Sequence, residues 1–170
     1  MIYPSTVKNY KIYNNQREVI GSADIVLPKL QFEKNDLKGG ALGGSLNLPV
    51  SGNVMPMQTT ISLHTNTLTG LQMFTGIGGK IRCQSSLEVF DTASAKFNEL
   101  PETVMMTVVG DEFDLGKRES SVKAVITQMF SVIYLALYFN GQLFWQIDPF
   151  SNICIVNGVD LNAQTRANLI

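Results

Sequence analysis

The stretch YLALYFNGQLFWQI, residues 134–147, places two apolar segments on either side of the dipeptide Asn140-Gly141. Asn-Gly is the pair that best tolerates the positive φ angles of a type I′ turn, so the stretch predicts a β-hairpin. Large side chains occupy successive positions in both arms, which is typical of strands that are packed on both faces. We therefore expect one face to pack against a core and the other against a helix or a neighbouring chain.

Two more hairpins are predicted in the first half of the chain, where short alternating segments are separated by turn residues. The first joins residues 7–13 to residues 18–27 through an Asn-Asn turn. The second joins residues 46–50 to residues 55–63, and its predicted turn is Ser51-Gly52-Asn53. The apolar positions of both arms of this second hairpin recur with a period of two.

Residues 80–90 and 103–109 alternate in the same way and predict two further strands. No internal repeat or linker divides the chain, and 170 residues are enough for one domain with its own core. We therefore expect a single domain over residues 1–170. Its predicted class is mainly β, a barrel or sandwich with a short flanking helix and a C-terminal helix.

The two helices are predicted from their capping residues. Asn66 is a candidate N-cap for a helix over residues 67–75 that Gly76 would end. Asp160 is a candidate N-cap for a terminal helix over residues 161–169.

An uncharged segment is the least usual feature of the composition. Residues 39–79 contain no Asp, Glu, Lys or Arg, and charged residues make up 16% of the chain against roughly 25% in ordinary globular proteins. The net charge of −1 provides no basic field for capturing nucleic acid. More of the surface than usual must be neutral or apolar, and burial between subunits is the simplest explanation.

The sequence offers no catalytic or cofactor-binding constellation. His64 lies in an alternating segment without a nucleophile or carboxylate motif around it, so it is interpreted as structural. The glycines of GGALGG are not followed by the Lys that a phosphate-binding loop requires. Asp111, Glu112 and Asp114 are interpreted as a solvated loop with too few ligands for calcium. We expect no enzyme activity, no cofactor and no metal.

The cysteines and the longest apolar segment do not change this interpretation. Cys83 and Cys154 are far apart and lack metal or redox spacing, so both are expected to be buried as small hydrophobic residues. The apolar residues 129–139 are too few for a membrane-spanning helix, and the chain opens without a secretory signal. We therefore expect synthesis in the cytosol and no stable membrane insertion.

Several segments resemble the major tail tube protein family of contractile-tailed bacteriophages. VKNY at 7–10, LPKL at 27–30 and Gly39-Gly40 occur in the order and approximate spacing of that family. NICIVNGVDLNAQTRANL at 152–169 resembles its closing strand, turn and helix. The matching residues there are Val156, Asn157, Gly158, Val159, Asp160, Ala163, Arg166, Ala167 and Leu169.

The resemblance implies a structural subunit that closes into sixfold rings, which stack into a hollow tube. Long hairpins from neighbouring subunits would form one barrel around the bore, through which double-stranded DNA passes without specific binding. The implied partners are other copies of the chain and the tail sheath, baseplate and tail terminator proteins. The implied location is the virion tail, assembled in the bacterial host cytoplasm.

The resemblance leads to a hypothesis for the uncharged segment, which would be an extended hairpin at about 39–63. Part of it would line the bore and part would contact neighbouring subunits and rings. Alternation would direct Leu46, Leu48 and Val50 against the protein and Ser45 and Asn47 toward the channel. A neutral wall would let DNA slide, because Lys or Arg would retain its phosphates. The proposed residues are Gly43, Gly44, Ser45, Leu46, Asn47, Leu48, Ser51, Asn53, Met55 and Met57.

Alternatives remain open on three points. Residues 110–116, GDEFDLG, could supply a negative bore from outside the hairpin. Asp160 and Arg166 could form an ion pair across a subunit boundary or within one chain, or could be solvated. The chain could also be the tube of a phage-derived contractile bacteriocin that permeabilises target cells, or a monomeric β-sandwich that binds a glycan or protein.

Overall fold

The computed structural model describes residues 6–39, 43–75 and 78–169, which form a mainly β fold. Two short helices, α1 (Leu68–Leu71) and α2 (Ala163–Asn168), accompany eleven strands in these ranges. The strands are β1 (Thr6–Tyr13), β2 (Ala23–Val26), β3 (Phe32–Leu37), β4 (Leu46–Val54), β5 (Met57–Leu63), β6 (Gly79–Asp91), β7 (Lys96–Asp114), β8 (Ile126–Phe139), β9 (Gln142–Asp148), β10 (Ile153–Val156) and β11 (Val159–Asp160). The mainly β class predicted from the sequence is confirmed.

The main sheet is antiparallel and branches at β8. Its strands follow the order β1-β6-β7-β8-β9-β10-β11, while β5 also pairs with β8 and β2 pairs with β5. The first half of β8 pairs with β5, from Ile126 opposite Leu63 to Val132 opposite Met57. Its second half pairs with β9. A second sheet contains only β3 and β4.

Alternation along the strands decides which side chains form the core. In β5, Met57, Thr59, Ile61 and Leu63 are buried, and the residues between them are more exposed. In β8 the alternate residues from Ile126 to Val132 are buried, and the register shift near Ile133 changes the phase, so that Leu135 and Ala136 are the buried residues beyond it. Ile81 and Cys83 of β6 and Cys154 of β10 are also buried, which confirms the prediction for both cysteines.

The hairpin predicted at Asn140-Gly141 is confirmed. The turn joins β8 to β9, with φ of 49° at Asn140 and 78° at Gly141. Both angles are in the left-handed region that a type I′ turn requires.

The first predicted hairpin pairs only next to its turn, and the rest of its second arm does not pair with β1. Tyr13 and Val19 form a bridge, and the amide of Ile20 donates to the carbonyl of Ile12 over 3.1 Å. The chain then leaves β1, and β2 pairs with β5 instead. Ile20 is fully buried at this point, so core packing decides the path rather than the turn residues.

The turn predicted at Ser51-Gly52-Asn53 is wrong. These residues lie inside β4, which runs continuously to Val54 and pairs with β3. β5 pairs with β2 and β8 and has no register with β4. Residues 39–63 therefore do not form one hairpin among themselves.

Both predicted helices are shorter than expected. Thr67 rather than Asn66 caps α1, because its hydroxyl accepts from the amide of Gly70 over 3.1 Å. Gly76, the predicted end, lies outside the described residues. Asp160 lies in β11, and α2 begins only at Ala163. Within the described ranges, neither helix has the length and apolar character that crossing a bilayer requires.

The strands predicted over residues 80–90 and 103–109 are present and extend further as β6 and β7. The acidic residues interpreted as a loop belong to the end of β7, where Glu112 lies opposite Met129 and Asp114 opposite Thr127. The strand continues through this segment with a β-bulge, seen as a register shift between Gly110 and Glu112, instead of ending in a turn.

Candidate functional site

The hairpin β3–β4 projects from the domain and is exposed along most of its length. Its pairing places Leu37 opposite Leu46, and Asp36 opposite Asn47. Opposed residues of an antiparallel pair share a face. The hairpin therefore has one face with Leu37, Leu46 and Leu48 and another with Asp36 and Asn47.

Apart from Asn35, which lies opposite Leu48, the paired residues of the leucine face are apolar, and no element among the described residues covers them. Leu37, Leu46 and Leu48 are 42%, 48% and 47% exposed. An edge strand with exposed leucines favours association with another chain, because it offers both unpaired backbone groups and apolar surface. This face can bury apolar surface against a partner, but its leucine side chains cannot act as catalytic groups or metal ligands.

The opposite face of the hairpin is polar but not uncharged. β3 contributes Lys34 and Asp36 to this face, and Lys34 lies opposite Pro49. The expectation of a hairpin without carboxylates is wrong, because the uncharged segment pairs with a charged strand that precedes it. One cation and one carboxylate on the face of Asn47 leave that face close to neutral.

The remaining predicted hairpin residues fall into different environments. Gly43, Gly44 and Ser45 precede β4 and are exposed, and Met55 is 39% exposed between β4 and β5. Ser51 and Asn53 are exposed positions of β4. Met57 is buried in the core at 4% exposure, so it does not belong to the exposed set.

The base of the hairpin is held by Asn162, a residue that the sequence interpretation missed. Asn162 is 6% exposed, and its side-chain amide donates to the carbonyl of Gly52 over 3.2 Å and to Asn152 Oδ1 over 2.9 Å. The amide of Met55 also donates to the carbonyl of Gln31 over 2.8 Å. The sequence did offer one signal for Asn162: it directly precedes the short helix α2, and Asn is a preferred residue at the N-cap position.

The C-terminal motif forms a compact clasp, by which we mean residues 152–169. Asn157 and Gly158, with φ of 51° and 75°, connect β10 to β11, so Val156 lies opposite Val159. The segment forms a strand, a turn, a second short strand and a helix, in the order that the resemblance implies. The clasp packs beside Gly52 and thereby fixes where the hairpin leaves the domain.

Asp160 and Arg166 pair within one chain, which decides between the alternatives left open by the sequence. Arg166 donates to both carboxylate oxygens of Asp160 and also to the carbonyl of Asn152 over 2.8 Å. The hydrogen bond from Arg166 lowers the pKa of Asp160, although partial burial opposes the shift. This pair closes the clasp.

His64 has a structural partner. Its Nε2 lies 2.8 Å from Asp24 Oδ2, and Tyr10 donates to the other oxygen of Asp24 over 2.8 Å. These contacts, with His64 contributing most, lower the pKa of Asp24. The cluster ties β1 to β2 and to the end of β5. Over the described ranges, no group of three or more His, Cys, Asp or Glu side chains is placed to hold a metal ion.

Comparison with known proteins identifies a family and shows a likeness of fold to a solved structure. The family model described as phage tail tube protein FII matches residues 4–169. Curated proteins gave no match. A cryo-EM structure of the PVC sheath/tube terminator of an extracellular contractile injection system, in the extended state, matches with a TM-score of 0.53. The match covers 80% of this chain and 97% of that chain at 11% identity, which is a likeness of fold.

Proposed function

Because the chain belongs to the phage tail tube protein FII family, we propose that its copies close into sixfold rings that stack into a hollow conduit for double-stranded DNA. The family is structural, and the chain is not an enzyme. The observation that carries the proposal is the family match from residue 4 to residue 169, which includes both the projecting hairpin and the clasp.

The projecting hairpin supports self-assembly. Its leucine face exposes three half-buried side chains, and β3 and β4 pair only with each other in the described chain. A neighbouring copy can cover both the apolar face and the unpaired edges. A stable contact of this kind is expected to bury on the order of 1,000 Å² or more.

The polar face of the hairpin suits the bore. Asn47, Asp36 and Lys34 carry no excess of positive charge. A wall rich in Lys or Arg would bind phosphates through counterion release and slow the passage of DNA. In this arrangement the leucine face packs against protein, and the face of Ser45 and Asn47 points toward the channel.

The assembled tube would contact the tail sheath, the baseplate and a tail terminator, and would form in the bacterial host cytoplasm before becoming part of the virion tail. The likeness of fold to a sheath/tube terminator supports the contacts with the sheath and the terminator.

Negative-stain microscopy of the purified protein at high concentration tests the proposal. We expect rings and stacked tubes with sixfold symmetry, together with a concentration-dependent rise in sedimentation. A monodisperse small particle at every concentration would contradict the proposal and favour a monomeric binding module.

A further inference from the structure

A cationic cavity lies on the outer face of the main sheet. Its volume is about 490 Å³, and its lining includes Arg17, Lys80 and Arg82 beside Met105 and Tyr134. No carboxylate is found among the described residues that line it. An adjoining cavity of about 500 Å³ shares Lys80 and also has no acidic lining residue within the described chain. Three positive charges thus converge without a negative group between them.

Arg82 shows that the cavity is incomplete in the isolated chain. Its Nε atom is buried and has no hydrogen-bond partner within the described residues. Within the same part of the chain, Arg17, Lys80 and Arg82 form no ion pair. A buried polar group without a partner is costly, and the cost is larger for a charged group. An anionic group in the cavity would satisfy Arg82 and offset the repulsion among the three cations.

The strand register places Arg82 where a partner can reach it. Arg82 of β6 lies opposite Met105 of β7, and Lys80 lies opposite Thr107. Thr107 in turn lies opposite Tyr134 of β8. These side chains share the face of the sheet that points away from the core, because Ile81, Cys83 and Met106 occupy the buried face. Ile81 and Met106 also contribute to the lining, and the exposed Arg17 and Lys80 keep the cavity accessible to another molecule.

A complementary group is present elsewhere on the same outer face. Glu112 is exposed near the end of β7, and it has neither an ion pair nor a hydrogen bond to any described side chain. Its neighbours Asp111 and Asp114 are already bonded, to Gln58 Nε2 and to the amide of Gly116. Arg82 lies opposite Met105, whereas Glu112 lies further along β7, opposite Met129, so the two groups belong to distinct patches of one chain.

We propose that the cavity of Arg17, Lys80 and Arg82 is a socket for the Glu112 carboxylate of a second copy of this chain. Head-to-tail contacts that close a ring require two different, complementary patches on each subunit, and these two patches meet that requirement. The inference rests on the proposed function, since it names the contact between the copies that form the ring. Neutralising these cations also suits a DNA conduit, because free cations would bind phosphates.

Charge reversal tests the pairing. The variants are Arg82→Glu, Glu112→Arg and the double variant, with Lys123→Glu as a control of equal charge change on an exposed loop. We expect each single reversal to raise the critical concentration for tube formation roughly tenfold or more, as expected for a desolvated charge pair. The double variant should recover most of this loss, and the control should assemble as the wild type does. Pelleting and negative-stain microscopy measure assembly, and far-UV circular dichroism checks that each monomer is folded.

The outcomes separate this inference from the proposed function. A wild-type protein that never assembles would overturn the proposed function and the pairing with it. Wild-type tubes with normal assembly of Arg82→Glu would overturn the socket alone, and so would a loss that the double variant does not recover. Normal Arg82→Glu tubes that bind less labelled duplex DNA would likewise overturn the pairing and would assign the cavity to phosphate.

Discussion

Asn162 occupies the space beside Gly52 that any side chain at residue 52 would need. A Cβ added to Gly52 would lie 1.7 Å from Asn162 Oδ1, and Gly52 has a φ of 84°. The same Asn162 donates its side-chain amide to the carbonyl of Gly52 over 3.2 Å. The clasp and the hairpin are thus joined at a position where only glycine fits without strain.

Gly52→Ala is therefore expected to destabilise the monomer. Both the positive φ and the contact with Asn162 oppose the substitution, and we expect a loss of about 1–3 kcal/mol in the free energy of unfolding. Urea denaturation measures the loss. Gly44→Ala is the matched control, because nothing lies within 4 Å of its added Cβ. Equal stability of the two variants would contradict the role of the contact.

This contact also explains why the turn at Ser51-Gly52-Asn53 was mispredicted. Gly and Asn in sequence are typical of turns because they tolerate positive φ. Here the positive φ of Gly52 serves a close approach to a residue 110 positions away, which local sequence does not reveal. Local alternation of apolar residues is enough to predict that a strand is present, as in Met57–Leu63. Which strand it pairs with depends on contacts between residues far apart in the sequence, here with β8.

The hairpin at Asn140-Gly141 is predictable because its pairing depends only on residues that are close in the sequence. Its turn type and the pairing of its arms are both decided within 14 consecutive residues, 134–147. The projecting hairpin could not be predicted in this way, because its first strand, β3, carries Glu33, Lys34 and Asp36 and does not resemble an apolar strand. Asn162 was missed because its partners, Gly52 and Asn152, come together only in the folded chain.

The pair of Asp160 and Arg166 predicts a pH dependence. Arg166 lowers the pKa of Asp160 below its ordinary value of 3.8. The pair therefore contributes stability above that value and loses it as the pH falls through the lower pKa of the folded state. We expect Arg166→Gln to lose less stability than the wild type between about pH 5 and about pH 3.

Denaturant unfolding at several pH values measures this difference. Lys117→Gln provides the control, because Lys117 and Glu119 form an ion pair on an exposed loop. Exposed pairs of this kind contribute little, so the acid profile of the control should follow the wild type. Parallel acid profiles of Arg166→Gln and the wild type would show that Asp160 is not stabilised by Arg166.

The leucine face predicts a variant that folds but does not assemble. Leu48 is 47% exposed, so Leu48→Asp should leave the stability of the monomer nearly unchanged. Burying the new carboxylate against a second copy would be costly, and we expect the critical concentration for assembly to rise roughly tenfold or more.

Sedimentation across a concentration series measures the shift. Leu115→Asp is the matched control, since Leu115 is 61% exposed on a loop away from the hairpin. Assembly of Leu48→Asp at the wild-type concentration would place the leucine face outside the contact between copies.

Hydrogen exchange is expected to report the same contact without mutation. The amides of β3 and β4 are in a two-stranded sheet with few buried neighbours, so in the monomer they should exchange through local opening. Assembly should protect them strongly. The amides shared by β6 and β7, inside the main sheet, should be protected in both states. Equal protection of the hairpin in monomer and tube would contradict its burial on assembly.

The channel orientation predicts a defect in DNA passage without a defect in assembly. Asn47 lies on the polar face, opposite Asp36, and Asn47→Lys adds one positive charge per subunit to that face. If the proposed sixfold rings form, six such charges in each ring would bind phosphates along the duplex, so genome delivery should slow and its rate should recover as salt rises. Ser120→Lys adds the same charge on an exposed loop and should leave delivery unchanged. Potassium efflux or reporter-gene timing after infection measures delivery, and microscopy verifies normal tubes. Unchanged delivery by Asn47→Lys tubes would mean that this face of the hairpin points away from the bore.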